Sequence, residues 1–488
     1  MVEEVVSKID AKRVVKFLIP IIVAVVIAMI PAPQGLVDST AAKGLTGFQG
    51  MAFIGIFVMI IAWLILQVMP GYLAIMVGLA AMLACGVGGQ GGWYTVWKQF
   101  SGSTVWTVVA VIALAFGIKK SGLFNRIALM VLDKFPGSYK GSVAGIMTAG
   151  TVIGPFIPST TAKAAILMPL AETAGKALGY KKGDKPMAGF FVAVYMITQY
   201  LSAAFMTGAV LVYIIIGFLP ADQQANWQWV SWFQACLPWF VIGWILTYIA
   251  VTVMGKPQGG DAKVAKEDSP IHQQRMALGE MSHDEKVALV FLAVAFLGWV
   301  FGPMVNIDAG VWSFFVLGVM LVFGIMSGEE FMAAVPWSTI FFVGAIFSLA
   351  GLISSTGVAA WFATLVAPYL QPIVANPYLF VFAVLVITYV MRIVIVSQAA
   401  TVTILIAGLM TTAAAAGIDP FILVFVSYMG CLMWYFDFSS SQYLITMAIS
   451  NGSMCEFKDT RKYNLAYLAI HMIACLASVP WWGFLGLC

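Results

Sequence analysis

FIPSTTAKAAILMPLAE, residues 156–172, lies inside an apolar segment, 140–178, that is flanked by cations at both ends. Lys134 and Lys140 precede the segment, and Lys181, Lys182 and Lys185 follow it. Gly154, Pro155, Pro158 and Pro169 interrupt it, and proline removes a backbone donor and disfavours helix in the residue before it. A spanning helix needs about 20 apolar residues to cross about 30 Å of hydrocarbon. The 39 residues of the segment cannot hold two such helices around a proline-rich centre. A segment that begins and ends on the same side of a membrane is a re-entrant hairpin, and its non-helical tip falls at Ile157-Pro158-Ser159-Thr160.

The rest of the chain has the composition such a hairpin requires. Hydrophobic residues make up 62% of its 488 residues and charged residues 9%, against about 25% charged in a soluble domain. Mean hydropathy is +0.97, so the solvent for most of the chain is lipid. No basic patch interleaved with aromatics points to nucleic acid. The six cysteines are scattered without metal-ligand spacing and read as packing residues. Residues 1–16 are charged and lead into an apolar run, Phe17 to Ile30, without a small-residue cleavage pattern, which reads as a first membrane helix.

Spans are expected near 17–32, 51–69, 71–88 and 103–119, followed by an interfacial helix at 122–135 and the hairpin at 140–178. Residues 187–219 are apolar for too long to be one simple span, and Ser202 to Gly208 read as a break; a span at 235–254 completes a first unit, residues 1–255. The polar stretch 256–286, with His272 and His283, reads as a solvated cytoplasmic linker. The second unit, 287–488, repeats the programme, with spans near 287–305, 310–327 and 338–354 and an interfacial helix at 357–370. A second hairpin at 376–416 has its tip at Ser397-Gln398-Ala399. A long span at 419–449 is broken around Asp437 to Ser441, and 465–486 is the last span.

The repeat is visible residue by residue. Ser103–Leu123 aligns without gaps on Ser338–Val358, and eight of the 21 positions are identical. With the N-terminus in the cytoplasm, eleven spans and two hairpins put 21 of the 25 Lys and Arg on the cytoplasmic side, as the positive-inside rule requires. Lys43 and Lys98 face outward, and Lys163 and Arg392 remain inside the hairpins. The two units then enter the membrane with opposite polarity. The expected fold class is therefore an all-α polytopic membrane protein with two re-entrant hairpins in an inverted repeat. Broken helices at matching positions point to a binding site at the midplane.

Non-helical backbone at membrane depth survives only inside protein or beside water. At each tip the second half-helix offers free N–H groups and a positive dipole end, which suit a carboxylate, sulfate or phosphate. Ser159, Thr160 and Thr161 at one tip, and Ser397, Gln398 and Ala399 at the other, are the candidate substrate-binding residues. Thr207, Gly208, Ser439 and Ser440 in the helix breaks are candidate ligands for a small cation.

FIPSTTAKAAILMPLAE resembles the first signature of the divalent anion/sodium symporter family of dicarboxylate, tricarboxylate and sulfate carriers, a Ser-Asn-Thr tip followed by small residues and a proline. FSGSTVWTVVAVIALAFGIKKSGLFNRIAL, from Phe100, is similar to the family's preceding helix and interfacial helix, and VPWSTIFFVGAIFSLAGLISSTGVAAW, from Val335, to their counterparts in the second half. The resemblance covers residues 90–450. It implies an elevator-type secondary transporter, a homodimer, whose tips hold substrate carboxylates and flanking sodium ions, with no cofactor beyond sodium as a coupling ion. Thr160 stands in place of the first tip's asparagine, and Gln398 and Ala399 in place of the second tip's asparagine and threonine. The Thr-Pro-Pro that follows each break in the family is absent.

Three intramembrane charges bear on coupling. Lys163 lies one turn beyond Ser159, on the same helix face. Arg392 lies in the arm leading to the other tip, and Asp437 in the second break. Either Lys163 or Arg392 substitutes for a bound cation and neutralises the substrate, or Asp437 forms a structural ion pair with one of them; Asp437 also suits a proton- or sodium-coupling role. The expected function is alternating-access transport of a small di- or tricarboxylate across the inner or plasma membrane, coupled to sodium or by anion exchange. A sulfate carrier and a cation/proton antiporter of the same broad superfamily are the alternatives. An intramembrane enzyme built on Ser159 and Lys163 gives the repeat no role, so no catalytic residue is assigned.

Overall fold

A bilayer leaves every backbone N–H and C=O to be satisfied within the protein, and in the computed structural model the apolar segments accordingly fold as helices. The structure describes residues 11–488 other than Ala225, Gly259, Asp261, Asp437 and Phe438. Among these residues all regular elements are helical, apart from an isolated bridge between Ser138 and Lys263. The chain runs through α1 (Ala11–Met29), α2 (Gln34–Ala41), α3 (Gly47–Leu66), α4 (Gly71–Ala84), α5 (Ser103–Lys120) and α6 (Leu123–Leu132). Next come α7 (Tyr139–Ile153), α8 (Thr160–Ala177), α9 (Lys185–Tyr195), α10 (Val210–Gly217) and α11 (Trp229–Met254), then α12 (Pro270–Ala277) within the polar stretch. The longer helices that follow are α13 (His283–Phe301), α14 (Ala309–Val322), α15 (Trp337–Ser355), α16 (Val358–Val374), α17 (Pro377–Val394), α18 (Gln398–Ala415), α19 (Pro420–Gly430), α20 (Ser441–Ile449) and α21 (Phe457–Phe484), and short helices at Gly92–Trp97, Ala221–Gln224 and Gly328–Ala334 lie between the numbered ones.

Among the described residues, eight helical stretches are long and apolar enough to cross a bilayer, or ten if each of two bent pairs counts as one span. Eleven were expected. Part of the difference is length: α4 and α14, where spans were expected at 71–88 and 310–327, have 14 residues each, about 21 Å of helix. Each of these short helices packs across to the other half of the chain, α4 on α15 and α14 on α5. The two helices that align in sequence, α5 and α15, are thus each covered by a short helix from the opposite half.

α7 and α8 pack against each other, joined by a 3-10 turn, Gly154–Phe156, and extended backbone at Ile157 and Ser159. α17 and α18 form the equivalent pair around an extended Ile395 and Ser397. The break after α9 begins earlier than Ser202. A π turn at Met196–Tyr200 and 3-10 turns at Leu201–Ala204 and Met206–Gly208 precede α10. In the second half the helix stops at Gly430 and resumes at Ser441.

Two expectations are corrected. The polar stretch 256–286 is not simply solvated: α12 packs on α6 and α8, Val264 N donates to Gly137 O at 2.8 Å, and Ile271 is buried. Its charges are attracted by partners more than 100 residues away. Asp133 meets His272 at 2.9 Å, Arg275 at 2.5 Å and Lys266 at 4.0 Å. Arg126 meets Glu285 at 2.8 Å and donates to the carbonyls of Leu278, Gly279 and Glu280. By residue type and by their place near the start of the 235–254 span, the tryptophans at 227–239 suit an interfacial belt, yet Trp227, Trp229, Trp232 and Trp239 are buried. Their indole N–H groups have buried partners to satisfy: Trp229 donates to Thr207 Oγ1, Trp232 to Ala203 O and Trp239 to His471 Nδ1. Trp93 and Trp106 are exposed, as a belt requires.

Candidate functional site

Each hairpin tip is shaped by a serine that caps the following helix. Ser159 Oγ accepts from Ala162 N at 3.1 Å, and Ser397 Oγ accepts from Ala400 N at 3.2 Å. Such a cap is worth about 1 kcal/mol, and it uses only the oxygen lone pairs. The hydroxyl proton of each serine is left to donate, and the first-turn N–H groups of α8 and α18 point the same way. Thr160 begins α8 half-buried and Thr161 is exposed, while Gln398 and Ala399 form the first turn of α18 rather than lying before it.

The two buried cations tie each tip to the neighbouring break. Lys163 is 0% exposed, and its ammonium donates to Gly208 O. Arg392 is 1% exposed. Its Nη1 donates to Ile395 O at 2.7 Å and to Val396 O, and its Nη2 donates to Ser439 O at 2.7 Å. Among the described residues neither cation has a carboxylate within ion-pair distance; Asp437, the partner offered by one reading, lies outside them. Gly208 and Ser439 are two of the four positions that sequence reasoning assigned to a small cation. At the third, Thr207 Oγ1 donates to Pro155 O at 2.5 Å and accepts from Trp229. At the fourth, Ser440 Oγ accepts from Tyr443 N and caps α20. Pro158 O accepts from Val210 N at 3.1 Å, which closes the first tip onto α10.

A cavity of about 710 Å³ opens on the second tip. Val396, Ser397, Gln398, Ala399 and Arg392 form one side of it with Tyr428, Ser439, Ser441 and Gln442. Arg13, Gln67 to Gly71 and Phe342 form the other. The Gln398 and Gln442 amides exchange hydrogen bonds at 3.2 and 3.1 Å, so their orientation is fixed. Ser159, Thr160 and Thr161 do not line this cavity. The first tip reaches the second half through the packing of α8 on α20, and Gln199 of the π turn donates to Thr446 Oγ1 at 3.3 Å. Arg13, Tyr428 and Gln442 are lining residues that the sequence reading did not single out. Arg13 entered it only as a topology charge, and no motif marks the other two.

His471 is packed and satisfied away from the cavity. Its Nδ1 accepts from Trp239 and meets Tyr200 Oη at 2.9 Å, and its Nε2 meets Val426 O at 3.1 Å. Glu172 and Lys176 pair at 2.7 Å along α8. Among the described residues no cluster of three or more metal-ligating side chains occurs.

Comparison with known proteins places this geometry. The chain is 25% identical over 400 residues to an L-tartrate/succinate antiporter of Shigella dysenteriae serotype 1, covering 77% of this chain and 79% of that protein. The antiporters of the same name from Escherichia coli O157:H7 and Escherichia coli strain K12 are 25% and 24% identical over the same extent. The family described as the sodium:sulfate symporter transmembrane region matches residues 11–488. The chain belongs to that family, and it is a multi-span membrane transporter, not an enzyme.

Proposed function

We propose that the protein exchanges small dicarboxylates across the cell membrane without sodium, by an elevator-type alternating-access motion of the two hairpins and broken helices. The observation that carries this reading is the engagement of Gly208 O and Ser439 O by Lys163 and Arg392. Backbone carbonyls at a helix break are the groups a transported cation uses. Here cations attached to the chain hold them.

The consequence is electrostatic. A buried charge without a counter-ion is costly to carry through a bilayer. A dianion bound in the cavity at the second tip offsets the positive charge that the two pins give the moving unit, so the loaded carrier crosses more readily than the empty one. A sodium ion dissociates and releases an empty carrier from this constraint, whereas a lysine cannot. The carrier therefore returns loaded, which is exchange. The antiporters named above support the same choice, and their names support dicarboxylates ahead of sulfate. Further parts of the proposal are an inverted repeat of residues 1–255 and 287–488, a cytoplasmic N-terminus, an inner- or plasma-membrane location and a homodimer.

Purified protein in proteoliposomes tests this reading through uptake of labelled succinate, tartrate and sulfate. Uptake is expected only when unlabelled dicarboxylate is inside, at a rate indifferent to sodium. Uptake into empty vesicles that follows a sodium gradient would overturn it.

A further inference from the structure

We infer that Arg13 is a specificity-determining residue, which receives the second carboxylate of the substrate on one face of the membrane only; this rests on the dicarboxylate reading above. The cavity at the second tip has two kinds of wall. One belongs to the hairpin and the broken helix: Ser397, Gln398 and Gln442. The other belongs to α1, the α3–α4 turn and α15, helices that pack on one another through α1 on α3, α3 on α4 and α4 on α15. Among the described lining residues, Arg13 and Arg392 are the only charged ones, so the cavity presents positive charge from both walls.

The two guanidinium groups are committed differently. Both terminal nitrogens of Arg392 donate to backbone carbonyls. Arg13 bonds through Nε, to Val68 O at 3.2 Å. Val68 follows the end of α3, where Gln67 is left-handed at φ 50°. The bond anchors the Arg13 stem at a chain reversal and leaves the Nη pair, the fork that binds a carboxylate through two parallel hydrogen bonds. A substrate with one carboxylate at the tip has its other carboxylate directed across the cavity to that fork. A monocarboxylate has nothing to place there.

Arg13 is not on the hairpin. It meets the substrate only while the tip faces the α3–α4 turn, and it loses that contact when the hairpin moves to the opposite face. Its contribution is therefore one-sided, which a residue acting through folding cannot be.

Arg13→Gln and Arg13→Lys, in proteoliposomes of each orientation, test this with labelled succinate exchange and inhibition by butyrate. Arg13→Gln is expected to raise the succinate KM about tenfold on one face. The KM on the other face, the inhibition by butyrate and the melting temperature should be unchanged. Arg13→Lys keeps the charge without the fork and should fall between wild type and Arg13→Gln. A succinate KM equal to wild type on both faces, or raised equally on both, overturns the inference. Failure of the wild-type protein to exchange succinate would instead remove the dicarboxylate reading itself, so the two failures are distinguishable.

Discussion

The Lys163 ammonium donates to the carbonyl of Gly208, and this one bond ties the first turn of a hairpin arm to the break in the neighbouring helix. Arg392 repeats the arrangement in the other half, through Ser439 O. The two pins differ in residue type and in which hairpin arm carries them, since Lys163 follows its tip and Arg392 precedes its own. The same need, a positive charge at a broken helix, is met twice by different side chains.

Replacing Lys163 tests the built-in cation directly. Lys163→Ser removes the charge and leaves Gly208 O open beside a hydroxyl, a pair of oxygens that suits a small cation. Exchange in sodium-free buffer should fall at least about tenfold, the scale expected of one charge-assisted hydrogen bond. Sodium added to both sides should restore part of the rate. Full activity of Lys163→Ser without sodium would show that the lysine does not serve coupling.

Arg392 offers a geometric rather than a charge test. Lysine keeps the charge, but its single ammonium cannot span Ile395, Val396 and Ser439 as the planar guanidinium does. Hydrogen bonds to a charged group contribute about 1.5–3 kcal/mol each, and the site is fully buried. Arg392→Lys should therefore lower the melting temperature measured by scanning fluorimetry and reduce exchange on both faces. A variant with wild-type melting and transport would assign the pin no structural role.

Gln442 separates a lining role from a folding role. Gln442→Glu is nearly isosteric and keeps the acceptor for Gln398 Nε2, but it loses the return donation to Gln398 Oε1 and puts a negative charge in a cavity whose described charged residues are both cations. Like charges juxtaposed in a binding site cost affinity, so the KM for a dianion should rise about tenfold or more at neutral pH, with only the small fall in melting temperature that one lost hydrogen bond brings. An unaltered KM would move substrate away from this cavity.

The sequence carried the parts of this architecture that arise from local chemistry. Pro155 and Pro158 interrupt a helix, and Ser159 and Ser397 favour the cap position over the interior, so both tips were readable to within one or two residues. Lys163 and Arg392 stood out because an ionisable group at membrane depth is costly. What the sequence hid depends on distant partners. The π turn at Met196–Tyr200 lies in a wholly buried run whose polar residues, Thr198 and Gln199, do not tell a π turn from an α-helix. Trp232 and Trp239 have the same amphipathic side chain whether they face headgroups or a buried carbonyl. Residues 256–286 read as solvated because their partners, Asp133 and Arg126, are far away in the chain. Arg13 read as a topology charge because nothing near it marks the α3–α4 turn.

That docked stretch gives the last prediction. The Asp133 side chain is 3% exposed. Burial pushes its carboxyl up, but the hydrogen bonds from His272 and Arg275 and the nearby charges of His272 and Lys266 outweigh that and hold it below its ordinary value of 3.8. A carboxyl whose folded value is depressed adds stability that is complete above the unfolded value and is lost as pH falls through the folded one. The contribution of the Asp133 carboxyl should therefore be complete at neutral pH and be lost only in acid, below the ordinary carboxylate range. Asp133→Ala removes it at every pH and leaves Arg275 and His272 without their shared acceptor, at a cost of about 1–3 kcal/mol. The expected readouts are a lower melting temperature and faster tryptic cleavage at Lys263, Lys266 and Arg275. Because α12 packs on both α6 and α8, release of the stretch should also alter the maximal exchange rate. Tryptic cleavage of Asp133→Ala at the wild-type rate would mean that the stretch is held by Ile271 and the Arg126–Glu285 pair alone.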